Sequence, residues 1–452
     1  MKRADCKTPP RFFRTAHVIL CDRQGWCAAS PGSLYLAVDF RNICSYNSIE
    51  RMFSLSLFGA IGMAKVILHA DLNNFYASVA CLERPDLREV PVAVCGDPAR
   101  RHGIVLAKNM PAKRYGIQTG QVLWQAFQLC PNLTTIAPDY REVSRMSQVV
   151  RAIFGRYTDR VQPFGIDEAW LDLTAPDMTL TRGERIANHL RHTVREETGL
   201  TVSVGVSDNR VFAKLGSDLK KPDAVSLICD QNRAQVLDPL PIGALLFVGR
   251  ATARKLNAIG VYTVGQLAAA DPQVLRGVLG KAGLTLSGFA RGSDAGAFLR
   301  DDDQPVKSVG NSTTTPADVT DERGARLTLL DLSESVAFRL RQQGMAGRVV
   351  ELSLRDTAMR TVTRQLTLER PTDCSYDILD AALDLLARHW RPRAPLRALG
   401  VCVSALCPAK RDIQLSFLPE EAAHQRRMAL DRMVDDIRAR YGHDAIRRGP
   451  GA

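Results

Sequence analysis

The sequence predicts an α+β chain of several domains, and three observations carry that expectation. The chain has 452 residues, 45% of them hydrophobic and 24% charged, which is enough apolar material for more than one core. Between residues 140 and 235, helical and strand-like segments alternate in the manner of α/β packing. After a charged, proline-containing run, "RDDDQPVKS" from Arg300, the segment "RVVELSLRDTAMRTVTRQLTLE" alternates apolar and polar residues. Its period of two, through Val350, Leu352 and Leu354 and again through Leu366 and Leu368, predicts a second, antiparallel sheet.

The elements follow in order. Residues 1–62 hold four of the eleven cysteines and show no sustained period, so they are read as an extension of uncertain standing that follows a mis-assigned start, with Met63 the candidate true start. An apolar strand, Val66 to Leu68, then runs into Asp71, and a helix is expected from Asn73 or Asn74. Next come a helix around "SRMSQVVRAIFGRYT", a hairpin at "PFGIDEAWLDL" (163–173), a helix around "GERIANHLRHTVREETG" and a strand "TVSVGVS". "LLFVGRATARKLNAIGVYTVGQLAAA" reads as short helices broken by glycine turns, with Gly249 and Gly260 at helix ends. The tail from Pro419 is helical and basic.

Charge narrows the function. A formal net charge of +12 favours a polyanionic partner, nucleic acid first among them. The cysteines form no C-x-x-C pair and lack zinc-ligand spacing, so they are expected to be free thiols in a reducing cytoplasm. No apolar run reaches the roughly 18 to 20 residues of a membrane span. "GVLGKAG" fails as a phosphate-binding loop, because Leu275 and Ala282 break the spacing.

The hairpin raises the chemical question. Ile166, Ala169, Leu171 and Leu173 should be buried or half-buried, yet Asp167 and Glu168 stand among them. Buried carboxylates need a basic partner or a cation, although a hairpin tip in water would also accept the pair. Asp71 ends the first strand. If that strand neighbours the hairpin, three carboxylates converge, a donor set for hard divalent cations such as magnesium. Two such ions about 3.5 to 4 Å apart support phosphoryl transfer.

"DLNNFYASVA", "GIVLAKNMPAKRYGIQTG", "GIDEAWLDLT" and "VGVSDNRVFAKLGSDLKKPDA" stand in the order and spacing of the Y-family, lesion-bypass DNA polymerases, and from Met63 onward the chain resembles their DinB-type branch. The resemblance implies a right-hand polymerase. Its palm, an antiparallel or mixed sheet plus helices, would occupy residues 63–74 and 140–237, and small fingers 75–139. A helix-hairpin-helix thumb would span 238–298, a linker 299–306, an α/β little finger 307–410 and a C-terminal tail 411–452.

The same resemblance implies residue roles. Asp71, Asp167 and Glu168 are the catalytic carboxylates holding two Mg2+ ions, with the main-chain carbonyl of Leu72 as a further ligand. The amides of Phe75 and Tyr76 and the ammonium of Lys221 would meet the triphosphate. Tyr76 matches the steric gate that excludes the ribonucleotide 2′-hydroxyl. Lys113 and Met110 stand at nucleotide-contacting positions where relatives often have arginine and tyrosine, so the bidentate fork and a hydroxyl are lost. Asn73, replacing an acidic residue, is expected to point away from the metals, and His69 to serve packing.

For DNA, "FVGRATARKLNAIGV" resembles the thumb motif that holds phosphates through backbone amides, pointing to Gly249 and Arg250, although Phe247 stands where glycine is frequent. Arg348 and Arg355, with Arg360 and Arg364, are available in the little finger. "QLSFL" resembles the pentapeptide that docks on the sliding clamp (beta clamp), through Gln414, Leu415, Phe417 and Leu418. The implied activity is low-fidelity, template-directed DNA synthesis across damage, by a cytoplasmic monomer using primer-template DNA and deoxynucleoside triphosphates. A non-catalytic DNA-binding relative, accessory to another polymerase, is the alternative; a nucleotide cyclase would explain the carboxylates but not the thumb and little finger.

Overall fold

Period-two and period-3.6 segments assemble into three sheets with their helices in the computed structural model, which describes residues 65–294, 298, 306–391, 394–409, 419–442, 445–446 and 448. The expected extension over 1–62, most of the linker, and Gln414, Leu415, Phe417 and Leu418 lie outside the described residues. β1 (Ile67–Leu72) is buried throughout and passes through Asn74, in the left-handed region at φ 50°, into α1 (Phe75–Glu83). A short polar side chain tolerates that turn better than a branched one would. A small sheet of order β3-β2-β4 follows, made of β2 (Val92–Cys95), β3 (Val105–Lys108) and, after α2 (Met110–Arg114) and α3 (Leu123–Leu129), β4 (Thr134–Ile136).

α4 (Tyr140–Gly155) starts at Asp139, whose carboxylate accepts from the amides of Arg141 and Glu142. It leads into β5 (Val161–Pro163) and β6 (Glu168–Asp172), then α5 (Leu180–Thr198), β7 (Val202–Ser207), α6 (Arg210–Leu219) and β8 (Val225–Leu227). These strands join β1 in the order β5-β6-β1-β7-β8, with β1 antiparallel to both neighbours. Alternation sorts the sheet's two faces. Leu68, Ala70 and Leu72 share a core with Val150 and Phe154 of α4 and Leu190 and Val194 of α5. Each buried leucine there contributes about 2 kcal/mol.

The opposite face, with Ile67, His69 and Asp71, is covered by α6. Gly205 on β7 sets how close that helix comes, since a Cβ there would lie 1.9 Å from the Ala213 carbonyl oxygen. Beyond α7 (Arg233–Leu237), α8 (Arg250–Asn257), α9 (Val264–Ala269), α10 (Pro272–Leu279) and α11 (Lys281–Ala290) form a helical unit. Leu256, Leu267 and Leu275 pack with Val211, Phe212 and Leu215 of α6, so this unit and the first sheet share one helix.

The last sheet has the order β11-β10-β12-β9, all antiparallel. It consists of β9 (Ser308–Val319), then, after α12 (Glu322–Gln342), β10 (Met345–Asp356) and β11 (Thr361–Thr372), and, after α13 (Ser375–His389), β12 (Leu396–Pro408). α12 and α13 cover one face, on which Val350, Leu352, Leu399 and Val401 are buried. On the other face, register aligns Ser312, Gly400, Ser353 and Thr363, and beside them Gly310, Cys402, Glu351 and Gln365. α14 (Pro419–Tyr441) packs beside α13 through charges. Asp431, buried, accepts from the amide (2.8 Å) and hydroxyl (2.6 Å) of Ser375 and pairs with Arg341 at 3.1 Å. Arg438 pairs with the buried Glu334 at 2.8 Å. Such charges persist in the interior because each has a partner. At the same seam Cys374 and His424 gather around Asp377, where Arg427, 3.6 Å away, already supplies a cation. The described cysteines are free thiols, and no described helix is long and apolar enough to cross a membrane.

Candidate active site

The site forms where β1 and β6 end together. Register pairs Asp71 with Glu168, and the Leu72 amide donates to the Asp167 carbonyl at 2.9 Å, so all three carboxylates leave the sheet at one edge. The bend before β6 is fixed from α4: the Ser147 hydroxyl donates to the Ile166 carbonyl, and Arg151 donates to the Gly165 carbonyl at 2.7 Å. Gly165, at φ 132°, occupies backbone space that other residues avoid. Ile166 is half-buried, and Ala169, Leu171 and Leu173 are buried.

Two lysines answer the carboxylates. α6 is capped by Asn209, which accepts from the Phe212 amide at 2.9 Å and aims the following turn at β1. Lys214 Nζ donates to Asp71 Oδ2 (2.9 Å) and Glu168 Oε2 (2.5 Å). Lys221, just past the helix, lies 2.8 Å from Asp71 Oδ2 and 2.8 Å from Asp218 Oδ1. Among the described residues no cation stands within ion-pair distance of Asp167.

Burial raises the Asp71 carboxyl, but Lys214 and Lys221 outweigh it and hold that pKa below the ordinary carboxylate value. Burial prevails at Glu168, pushed up to about 7 against the pull of Lys214, and it also raises Asp167, with repulsion from Asp71 second. Lys214 itself is raised: burial opposes its charge, and Asp71, Asp218 and Glu168 together favour it. The donors are all hard oxygens, and the site already accommodates two ammonium groups. It therefore fits divalent cations of the magnesium class.

His69 is fully buried and held well below its usual pKa, by burial first and by Lys214 next. The Ser217 hydroxyl lies 2.8 Å from both the Lys214 carbonyl and His69 Nδ1. Nε2 has no hydrogen-bond partner among the described residues and lies 3.5 Å from Glu168 Oε2. Asn73 departs from expectation. It shares the parity of Asp71 and turns to the same side, donating to Ser203 Oγ (2.9 Å) and accepting from the Asp223 amide (2.6 Å).

α1 begins beside this cluster. No side chain caps it, so the Phe75 and Tyr76 amides have no acceptor within the helix. The Tyr76 ring stands edge-on to Phe75 (6.0 Å) and to Tyr140 (6.2 Å). Its hydroxyl pKa is raised by burial first, then by Tyr140 and Asp167, which places it in the field of the carboxylates.

The other expected contact residues stand on other elements. Met110 is the first residue of α2 and half-buried; Lys113 is exposed, and its charge helps to lower the pKa of Lys108, after burial. No described ion pair joins Lys113 to the three carboxylates. Gly249 is the N-cap of α8, no side chain caps that helix, and Arg250 is its exposed first residue. Phe247 adopts φ 67°, a conformation that favours glycine, and is 65% exposed, with its ring against Phe164 at 6.4 Å. Arg355 shares the uncovered face of the last sheet with Ser353, and Arg348 donates to the Leu368 carbonyl at 2.9 Å. Arg364 has the parity of Leu352, on the helix-covered side, and Arg360 is paired with Asp356 at 2.8 Å.

Sequence reasoning missed Lys214 and Tyr140. Lys214 resembled one more solvated helical charge. The available signal was its spacing from Ser217, three residues on, opposite the side-chain-free Gly205.

Comparison with known proteins adds the following. The impB/mucB/samB family profile matches residues 70–218, and the profile of that family's C-terminal domain matches 306–417. The chain is 44% identical over 388 residues to DNA polymerase IV of Acetivibrio thermocellus, covering 86% of this chain and 97% of that one. With DNA polymerase IV 1 of Bacillus subtilis, identity is 33% over 391 residues, 86% of this chain and 93% of the relative. A solved Y-family DNA polymerase chimera, Dbh-Dpo4(243-245)-Dbh, superposes with a TM-score of 0.67 at 21% identity, over 75% of this chain and 98% of the chimera.

Proposed function

We infer the function from one premise: the chain belongs to the impB/mucB/samB family, and within it to the DNA polymerase IV group of Y-family polymerases. It is a DNA-directed DNA polymerase of the translesion kind, acting on DNA and deoxynucleoside triphosphates, in a family that uses divalent metals.

The residue assignments are our own reading. Asp71, Asp167 and Glu168, with the Leu72 carbonyl, would hold two Mg2+ ions. When bound, the ions lower the pKa of the primer 3′-hydroxyl and neutralise the departing pyrophosphate. The observation that carries this is the register pairing of Asp71 with Glu168, beside Asp167, at one sheet edge. The chain's own groups do the rest. The open amides of Phe75 and Tyr76 and the ammonium of Lys221 hold the triphosphate, with Met110 and Lys113 approaching from the fingers. The Tyr76 ring closes the space a 2′-hydroxyl would need.

We assign residues 63–74 and 140–237 to the palm, 75–139 to the fingers, 238–298 to the thumb and 307–410 to the little finger. Gly249 and Arg250 hold DNA phosphates from the thumb, and Arg348 and Arg355 do so from the little finger. Gln414, Leu415, Phe417 and Leu418 dock on the sliding clamp, a reading supported by sequence alone. Its check is clamp binding by surface plasmon resonance, expected to be lost in the double variant Phe417→Ala, Leu418→Ala.

The test of the active-site reading is extension of a primed DNA template in Mg2+, with deoxy- and ribonucleotides offered separately, by the full chain and by Asp167→Ala. Extension with deoxynucleotides only, lost in the variant, is the expected result. DNA binding without extension by the unmodified chain would contradict it.

A further inference from the structure

The roles just assigned leave Lys214 without a task. Its ammonium bridges carboxylates on adjacent strands, 2.9 Å from Asp71 Oδ2 and 2.5 Å from Glu168 Oε2. A magnesium-class cation bound to the same two oxygens would claim that place at about 2.0 to 2.1 Å. The two cannot share it, because both are positive and the oxygens enclose one inner position. A second acceptor lies one helical turn further on. Asp218 Oδ2 is 3.6 Å from Lys214 Nζ, and its side chain is 47% exposed. Lys221 is already divided in this way, 2.8 Å from Asp71 and 2.8 Å from Asp218. His69 is no substitute, since its ring is fully buried and its Nε2, 3.5 Å from Glu168 Oε2, makes no hydrogen bond among the described residues.

We propose that Lys214 is a built-in counter-ion of the metal centre, which bridges Asp71 and Glu168 until a divalent ion enters and then passes to Asp218. The proposal rests on the reading of these carboxylates as metal ligands. Lys214 thus stabilises the clustered carboxylates of the free chain and weakens metal binding before DNA and nucleotide arrive. It is a positioning residue.

The test measures Mn2+ binding to the full chain, free of DNA and nucleotide, from the electron paramagnetic resonance signal of free Mn2+. Lys214→Gln should tighten binding on the order of tenfold, the effect of removing one adjacent like charge. The same variant should melt at a lower temperature in EDTA and gain more from added Mn2+ than the unmodified chain. Lys214→Arg, which keeps the charge, should stay near the unmodified chain. Asp218→Asn removes the receiving carboxylate at an exposed position and should weaken Mn2+ binding; because Asp218 also pairs with Lys221, the weakening should be larger in the unmodified chain than in Lys214→Gln, a difference that a merely structural lysine would not produce. If Lys214→Gln fails to fold, Lys214→Met takes its place. Equal or weaker Mn2+ binding in Lys214→Gln, or unchanged binding in Asp218→Asn, would overturn the proposal. Asp71→Asn separates the two readings. If it leaves Mn2+ binding untouched, the metal assignment itself fails; if it abolishes binding while Lys214→Gln does not tighten it, only the counter-ion role fails.

Discussion

The first sheet is covered on both faces and the last sheet, by the described residues, on one, and on the proposed reading that difference divides the labour of the molecule. With α4 and α5 on one side and α6 on the other, both faces of the first sheet are packed. On the proposed reading, chemistry gathers where the central strands end, at Asp71, Asp167 and Glu168. Among the described residues no α-helix packs on the other face of the last sheet where Ser312, Gly400, Ser353 and Thr363 line up. On the proposed reading, small polar residues there allow close approach of an extended DNA strand without reading its bases, so that point chemistry depends on a few residues and grip is spread over many.

Substitutions should reveal that contrast in their size. Asp71→Asn should lower the single-turnover extension rate by at least about a thousandfold, because it removes a bridging carboxylate at the reacting centre. Rapid-quench measurement at saturating DNA checks this. Tyr76→Ala should relax the preference for deoxy- over ribonucleotides by on the order of a hundredfold, read as the ratio of kcat/KM values.

Glu168 gives a smaller, pH-dependent effect. Its folded pKa of about 7 lies above the ordinary 4.5, so between these values the folded chain binds a proton that the unfolded chain does not. Stability in EDTA should therefore fall as pH rises from about 5 to 7, and Glu168→Gln should flatten that slope in chemical denaturation. Raised Asp167 acts in the same direction but from a lower starting pH, and lowered Asp71 contributes stability that is lost only as pH falls below its ordinary range. The smallest effect belongs to the grip. Arg355→Ala should weaken primer-template binding a few-fold and reduce the slope of log Kd against log salt by about 1, by fluorescence anisotropy across a salt series.

The same contrast governs what the sequence could disclose. The hairpin drew attention because two carboxylates interrupt an apolar strand pattern, but that pattern also suits a tip in water; the four ordered motifs decided between the two and singled out Asp71 as well. Lys214 was not legible, since a lysine on an amphipathic helix reads as solvent-facing until the strand beneath it is known. The face of α14 that docks was hidden for a related reason: the tail reads as basic, yet Asp431 and Asp435 make its contacts with Arg341. The period-two pattern of β10 and β11 predicts a sheet, but it does not say which face the helices cover. Only register separates Arg355 from Arg364.

The division of labour is tested most directly by measuring two quantities side by side: the single-turnover extension rate at saturating DNA, and the Kd for primer-template DNA. Asp167→Ala should lose the rate and keep the affinity within about twofold, while Arg348→Ala with Arg355→Ala should lose affinity and keep the rate. Extension by Asp167→Ala at the rate of the unmodified chain would contradict the assignment of the palm edge as the reacting centre.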